Sequence, residues 1–120
     1  MNYHRVERDG KAYIECLAGQ AVIRDEQDAL EWVGICGEHE THRLLLPPGS
    51  LTDDFYQLKT GVAGRILLKF VTYQIKVAAV LTPEQVNQGR FQEMVLETNR
   101  GSQFRVFYDV EKAAQWLLSD

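Results

Sequence analysis

Only two of the 120 residues are cysteine and three are proline, and each scarcity removes a class of answer. Cys16 and Cys36 lack the close pairing of a redox or zinc motif. A disulfide scaffold and a thiolate cage are therefore set aside, and two buried thiols are expected. No uninterrupted apolar run approaches the roughly 20 residues that span a bilayer. The opening residues, MNYHRVERDG, carry no apolar signal core, so a cytoplasmic location is the expectation. Basic charge is also in deficit, with thirteen Lys and Arg against seventeen Asp and Glu and a net charge of −4. This argues against nucleic acid or anionic membrane as a general partner, because both select a basic face. Arg65, Lys69 and Lys76 are the one local basic cluster in prospect. No glycine loop follows a strand in the way a phosphate cradle requires. No nucleophile has an evident His–acid support either: Ser50, Ser102 and Ser119 stand in loops or at the end.

What is present is the ordinary balance of a globular chain, 45% apolar and 25% charged. The 120 residues suit one domain, residues 1–120. The organising stretch is Leu51 to Val80. Thr52 has the chemistry of an N-cap, and Asp53 and Asp54 would sit at the positive end of a helix dipole. Phe55, Leu58, Val62, Ala63, Ile66, Leu67, Phe70 and Val71 recur at three- and four-residue spacing. One amphipathic helix running from Asp53 is therefore predicted. Ile75 to Leu81 is almost continuously apolar, as a strand covered on both faces would be.

The rest of the chain alternates around that unit. Tyr3 to Arg8, the turn Asp9-Gly10, and Lys11 to Leu17 predict a β-hairpin, with Ala12, Ile14 and Cys16 on its inner face. A connector through Gly19 leads to a first helix after Asp25. Its apolar face is Ala29, Leu30, Val33 and Cys36, and Gly37 is its expected left-handed cap. Glu38 to His42 reads as a polar loop, and Leu44-Leu45-Leu46 as a short strand ended by Pro47-Pro48-Gly49. Thr82-Pro83-Glu84-Gln85 combines an N-cap, a first-turn proline and a capping-box Gln. A third helix should follow, weakened in its middle by Gly89, continuing through Phe91, Met94 and Val95, and stopped by Gly101. Phe104 to Tyr108 is a strand. Asp109 caps a last helix whose buried face is Val110, Ala113, Ala114 and Leu117. Such alternation predicts an α/β fold: a small, mostly parallel five-stranded sheet with right-handed crossovers.

This order, hairpin first and helix last, resembles the small α/β fold of SpoIIAA and the STAS domains. Asp53-Asp54-Phe55-Tyr56 with Leu58-Lys59-Thr60-Gly61-Val62-Ala63-Gly64, and later Glu97-Thr98-Asn99-Arg100-Gly101, resemble the bacterial family known as domain of unknown function 4180. The likeness runs over nearly the whole chain, and it implies a fold rather than an activity.

Four groups of residues are weighed for chemistry. In antagonist-type STAS proteins a phosphorylatable Ser followed by Gly stands where a loop enters the second helix, a place that favours phosphate. Thr60-Gly61 matches that place only if the helix breaks and restarts near Lys59. In an unbroken helix Thr60 is an interior residue, and Gly61 and Gly64 are small so that helix and sheet can approach; that second reading is the stronger. Asp53 and Asp54 point about 100° apart on a helix, too divergent to share one proton or metal. Glu97, Asn99 and Arg100 read as a helix end, or as a polar rim where a guanidinium clamps a carboxylate or phosphate. Glu38-His39-Glu40-Thr41-His42 has its two histidines three apart in a loop, where a zincin needs four on a helix. No metal and no cofactor are expected. Trp32 and Trp116 fall beside the main apolar faces of their helices and read first as completing a core edge; the alternative is that, with Tyr56 or Phe91, they form an apolar patch for a partner subunit.

The leading expectation is a non-enzymatic regulatory or protein-interaction module of STAS-like type, for which a homodimer is one arrangement. Its candidate surface is Asp53, Asp54, Lys59 and Thr60, with Asn99 and Arg100 alongside. The alternative is a protein binding a small apolar ligand or lipid in a crevice near the second and third helices. Less favoured is a small enzyme using Asp54, Lys59 or Arg100.

Overall fold

Asp9 and Gly10 both take left-handed backbone, φ 53° and 79°, the requirement of a tight two-residue hairpin turn. They fold β1 (Tyr3–Arg8) antiparallel onto β2 (Lys11–Cys16), as the sequence predicts. The computed structural model describes residues 3–17 and 22–119, and the connector through Gly19 lies outside the described residues. Beyond it run α1 (Glu26–Glu38), β3 (Arg43–Leu46), α2 (Val62–Thr72) and β4 (Lys76–Val80). They are followed by α3 (Pro83–Val86), α4 (Arg90–Thr98), β5 (Phe104–Phe107) and α5 (Val110–Leu117).

The strands lie side by side in chain order, β1-β2-β3-β4-β5, with every pair after the hairpin parallel. Each crossover therefore steps one strand in the same direction. Right-handed connections then stack α1, α2 and α4 on one face of the sheet. The last helix, α5, returns over the other face. Side chains of β4 alternate between the two covers: Val77 and Ala79 join the α1/α2/α4 core, and Ala78 and Val80 join the α5 core. The continuous apolar run Ile75 to Leu81 is thus the signature of a strand buried on both sides. Tyr13 joins the α5 core as well, so β2 is buried on both faces, not on one as its alternation suggests. No helix among the described residues is long and apolar enough to cross a membrane.

The unbroken helix expected from Asp53 to Val71 does not form. Asp53–Tyr56 and Leu58–Thr60 are two short 3-10 turns, and α-helix begins only at Val62. Burial explains the break. Phe55 and Tyr56 are neighbours in sequence and both buried, whereas adjacent α-helical residues point about 100° apart and cannot share one narrow face. The irregular path lets both rings pack edge-on against Phe91, at 5.9 and 5.1 Å between centroids. Thr52 consequently makes no side-chain cap.

Other boundaries move for local reasons. Gly37 is helical and Glu40, at φ 55°, takes the left-handed position. The third helix is two pieces, because Gly89 at φ 55°, ψ −119° separates α3 from α4. The Thr82 capping box forms as predicted, with Gln85 N–H donating to Thr82 Oγ1 at 3.2 Å and Thr82 N–H to Gln85 Oε1 at 2.9 Å. Trp32, Tyr56 and Phe91 are buried and Trp116 is half-buried, so they form no surface patch. Val110 is exposed and drops out of the α5 core.

Candidate functional site

Three loops gather where the parallel strands end. The segment 47–61 follows β3, 81–89 follows β4, and Leu51 also bridges to Ile23 beyond β2. Side chains are delivered to this carboxyl edge because each strand hands its chain to a loop there, which is where open α/β sheets place ligands.

Thr60 closes the second 3-10 turn. Its Oγ1 lies 2.8 Å from Gln57 O and 3.0 Å from Asp54 O, and it accepts the Val62 N–H at 3.2 Å. Gly61 follows at φ 77°, a conformation that glycine adopts without steric cost. The condition under which Thr60-Gly61 stands at the entry to the second helix is therefore met. The packing reason for the two glycines is not. Gly64 is exposed, and a Cβ built there finds nothing within 4 Å. Asp53, Asp54, Lys59 and Thr60 are all exposed.

Asn99 and Arg100 come from the other direction. Chain direction brings the end of α4 toward the amino edge of the parallel strands, opposite to the loops just described. The Asn99 amide is occupied: Val106 N–H donates to its Oδ1 at 2.8 Å, and its Nδ2 donates to Val106 O at 3.3 Å. Asn99 thus completes the open edge of β5 in place of a sixth strand. Arg100 is exposed. Among the described residues no hydrogen bond or ion pair joins Asn99 or Arg100 to Asp53, Asp54, Lys59 or Thr60. Nor does the predicted basic cluster assemble. Arg65 faces Glu26 at 3.4 Å, while Lys76 Nζ lies under α5, 2.8 Å from Trp116 O and 4.5 Å from the Trp116 ring centre.

Two residues absent from the sequence-level site stand beside Lys59. A cleft of about 360 Å³ is walled by residues 56–59 and 88–91. Gln57 Nε2 donates to Gln88 Oε1 at 3.2 Å, tying its two walls. Arg90 lines it opposite Lys59. Tyr56, 4% exposed, also lines it, and its hydroxyl is the one buried side-chain polar atom among the described residues without a hydrogen-bond partner. Burial first, and the neighbouring Asp53 carboxylate second, push the phenol up to about 12. It is a proton donor at any physiological pH. Sequence offers no sign of this, since an aromatic at apolar spacing reads as core; the only pointer to Arg90 is its place after Gly89.

A second hollow, about 320 Å³, opens on the α1/α2/α4 face between α2 and α4, floored by Phe70, Ile75 and Phe104. His39 Nε2 is 3.1 Å from the Tyr3 hydroxyl. Cys16 and Cys36 are buried free thiols, and burial pushes both up, Cys36 to about 12. Among the described residues no three His, Cys, Asp or Glu side chains come together where they could hold a metal ion.

The model of a family described as a domain of unknown function (DUF4180) matches residues 8–117. No curated protein and no solved structure matches the chain.

Proposed function

This chain belongs to the DUF4180 family, and on that premise we infer that it is a non-enzymatic regulatory or protein-interaction module of STAS-like type. Its partner surface is the carboxyl-edge segment carrying Asp53, Asp54, Lys59 and Thr60. One observation carries the reading: the chain breaks at Gly61 immediately after Thr60, leaving an exposed hydroxyl at the head of an 11-residue helix. Backbone N–H groups at such a position favour added negative charge. A phosphate on Thr60 would give up the bonds to Gln57 O and Asp54 O and loosen the turn that presents the acidic pair. The one-directional strand order, with crossing helices on one face and the final helix on the other, supports the STAS-like part of the reading. Asn99 and Arg100 are not needed for it.

The test is capture of partners from the cell extract of origin on immobilised full-length protein, compared with Thr60→Ala, Thr60→Glu and an Asp53→Asn, Asp54→Asn double variant. The reading expects a saturable partner that the double variant loses and Thr60→Glu weakens. A partner retained equally by all three variants would end it.

A second reading, binding of a small apolar ligand, draws on the hollow between α2 and α4. Its volume, about 320 Å³, falls in the range of small-molecule sites. Half-exposed Val71 stands at its rim. A ligand retained in native mass spectrometry, and lost on Val71→Trp, would favour it over the first.

A further inference from the structure

We propose that the cleft between residues 56–59 and 88–91 binds a small organic oxyanion, a carboxylate or phosphate monoester on an apolar body. Lys59 and Arg90 would neutralise its charge, and the Tyr56 hydroxyl would donate to it. The inference goes beyond the partner reading, because it requires no second protein.

Charge supports it first. The chain carries −4 overall, yet the lining of this cleft contains Lys59 and Arg90 and no Asp or Glu; the Asp53 carboxylate, which acts on the Tyr56 phenol from outside the lining, is the opposing charge the two cations must outweigh. Both cations are exposed, and neither makes an ion pair among the described residues. Unpaired cations facing each other across a cleft repel, and an anion between them removes that repulsion. Arginine suits the planar, two-oxygen face that carboxylate and phosphate present.

Tyr56 is the independent observation. A buried hydroxyl with no partner gives up its hydrogen bonds to water with nothing in return, and native proteins keep few of them without a reason. Phenylalanine would fill the same space among Phe55 and Phe91 without that cost, so packing alone does not explain the oxygen. The oxygen is closed to solvent with the walls as they stand, so an acceptor would reach it once the Gln57–Gln88 contact between them parts.

The walls and the opening agree. Tyr56, Leu58 and Phe91 supply apolar surface for the ligand's body, so a bare inorganic ion would leave most of the cleft unused. Gly89, with nothing within 4 Å of a Cβ position, leaves the mouth without a side chain next to Arg90. The Gln57–Gln88 contact joins the walls through two neutral amides, a link that parts easily.

The test is a titration of the isotopically labelled full chain with phenyl phosphate, followed by backbone amide shifts, with benzoate and inorganic phosphate as parallel arms. Saturable shifts confined to residues 56–60 and 88–91 are expected. The Lys59→Gln, Arg90→Gln double variant should bind at least about tenfold more weakly, a loss of ~1.4 kcal/mol. Tyr56→Phe should also weaken binding while its melting temperature stays level or rises. Stronger shifts with phenyl phosphate than with benzoate would assign a phosphate ligand, and the reverse a carboxylate. No saturable shift with either organic probe, shifts unaltered in the double variant, or inorganic phosphate binding as well as phenyl phosphate would overturn the proposal. Should Tyr56→Phe not fold, the double variant decides alone. None of these readouts involves a partner, so failure here leaves the partner reading standing.

Discussion

At Gly61 the backbone sits at φ 77°, and a Cβ would meet the flexible end of Arg65 at 2.9 Å. At Gly64, one turn on, the backbone is ordinary helix and the space outside is open. The same substitution should therefore act oppositely at the two sites. Gly61→Ala forces a side chain into left-handed geometry and should destabilise by about 1–2 kcal/mol. Gly64→Ala removes backbone freedom from the unfolded chain at no steric cost and should stabilise by about 0.5–1 kcal/mol. Urea denaturation of the two variants checks both signs. Sequence alone pairs these glycines as small residues on a helix, because the three- and four-residue spacing of apolar positions runs straight through them. What it does not carry is the joint burial of Phe55 and Tyr56, which no single helical face accommodates. For the same reason Tyr56 is legible as core and not as a donor.

Among the elements, predicted ends hold where the capping residue opens a regular helix and fail at Thr52, which makes no side-chain cap, and at Gly37, which is helical. Capping is local chemistry, and the caps at Asp109 and Thr82 form as their residues suggest: Asp109 Oδ1 accepts from Glu111 N at 2.7 Å and Lys112 N at 3.2 Å. The far end of α5 is held by residues no local rule connects to it. Lys11, Arg43 and Lys76, from three neighbouring strands, reach the carbonyls of Leu118, Leu117 and Trp116. Cations at a helix C-terminus satisfy both its free carbonyls and its dipole. Asn99 is the counterpart on β5. Its amide mimics a strand edge, so Asn99→Ala should leave the Val106 N–H and C=O without partners and cost about 1–3 kcal/mol. Asn99→Asp keeps the acceptor and loses the donor, and should fall between. Equal stability of all three proteins would show that water replaces the amide there.

For the whole molecule, the alternation of strands and helices announces a sheet with two covers, and the order in which strands step decides which helices share a face. The first cover begins at α1, where Asp25 accepts the Asp28 N–H at 3.0 Å and Asp28 accepts from both the backbone and the guanidinium of Arg24 at 2.9 Å. The Arg24 side chain holds the Asp28 carboxyl below the ordinary carboxylate value, against the opposing effect of burial. A depressed native value means the unfolded state binds the proton more readily. The contribution is present above the unfolded value, about 4, and is lost as pH falls through the lower native one. Stability measured from pH 6 down to pH 2 should decline more gently in Asp28→Asn than in the parent; parallel curves would contradict the assignment.

The central claim is that binding occurs at the carboxyl edge built by the broken segment before α2. Amide hydrogen exchange on the captured complex tests it most directly. Protection on binding should appear at residues 53–61, with the floor of the α2/α4 hollow unchanged. Protection at Phe70, Ile75 and Phe104, with residues 53–61 exchanging as in the free protein, would contradict it.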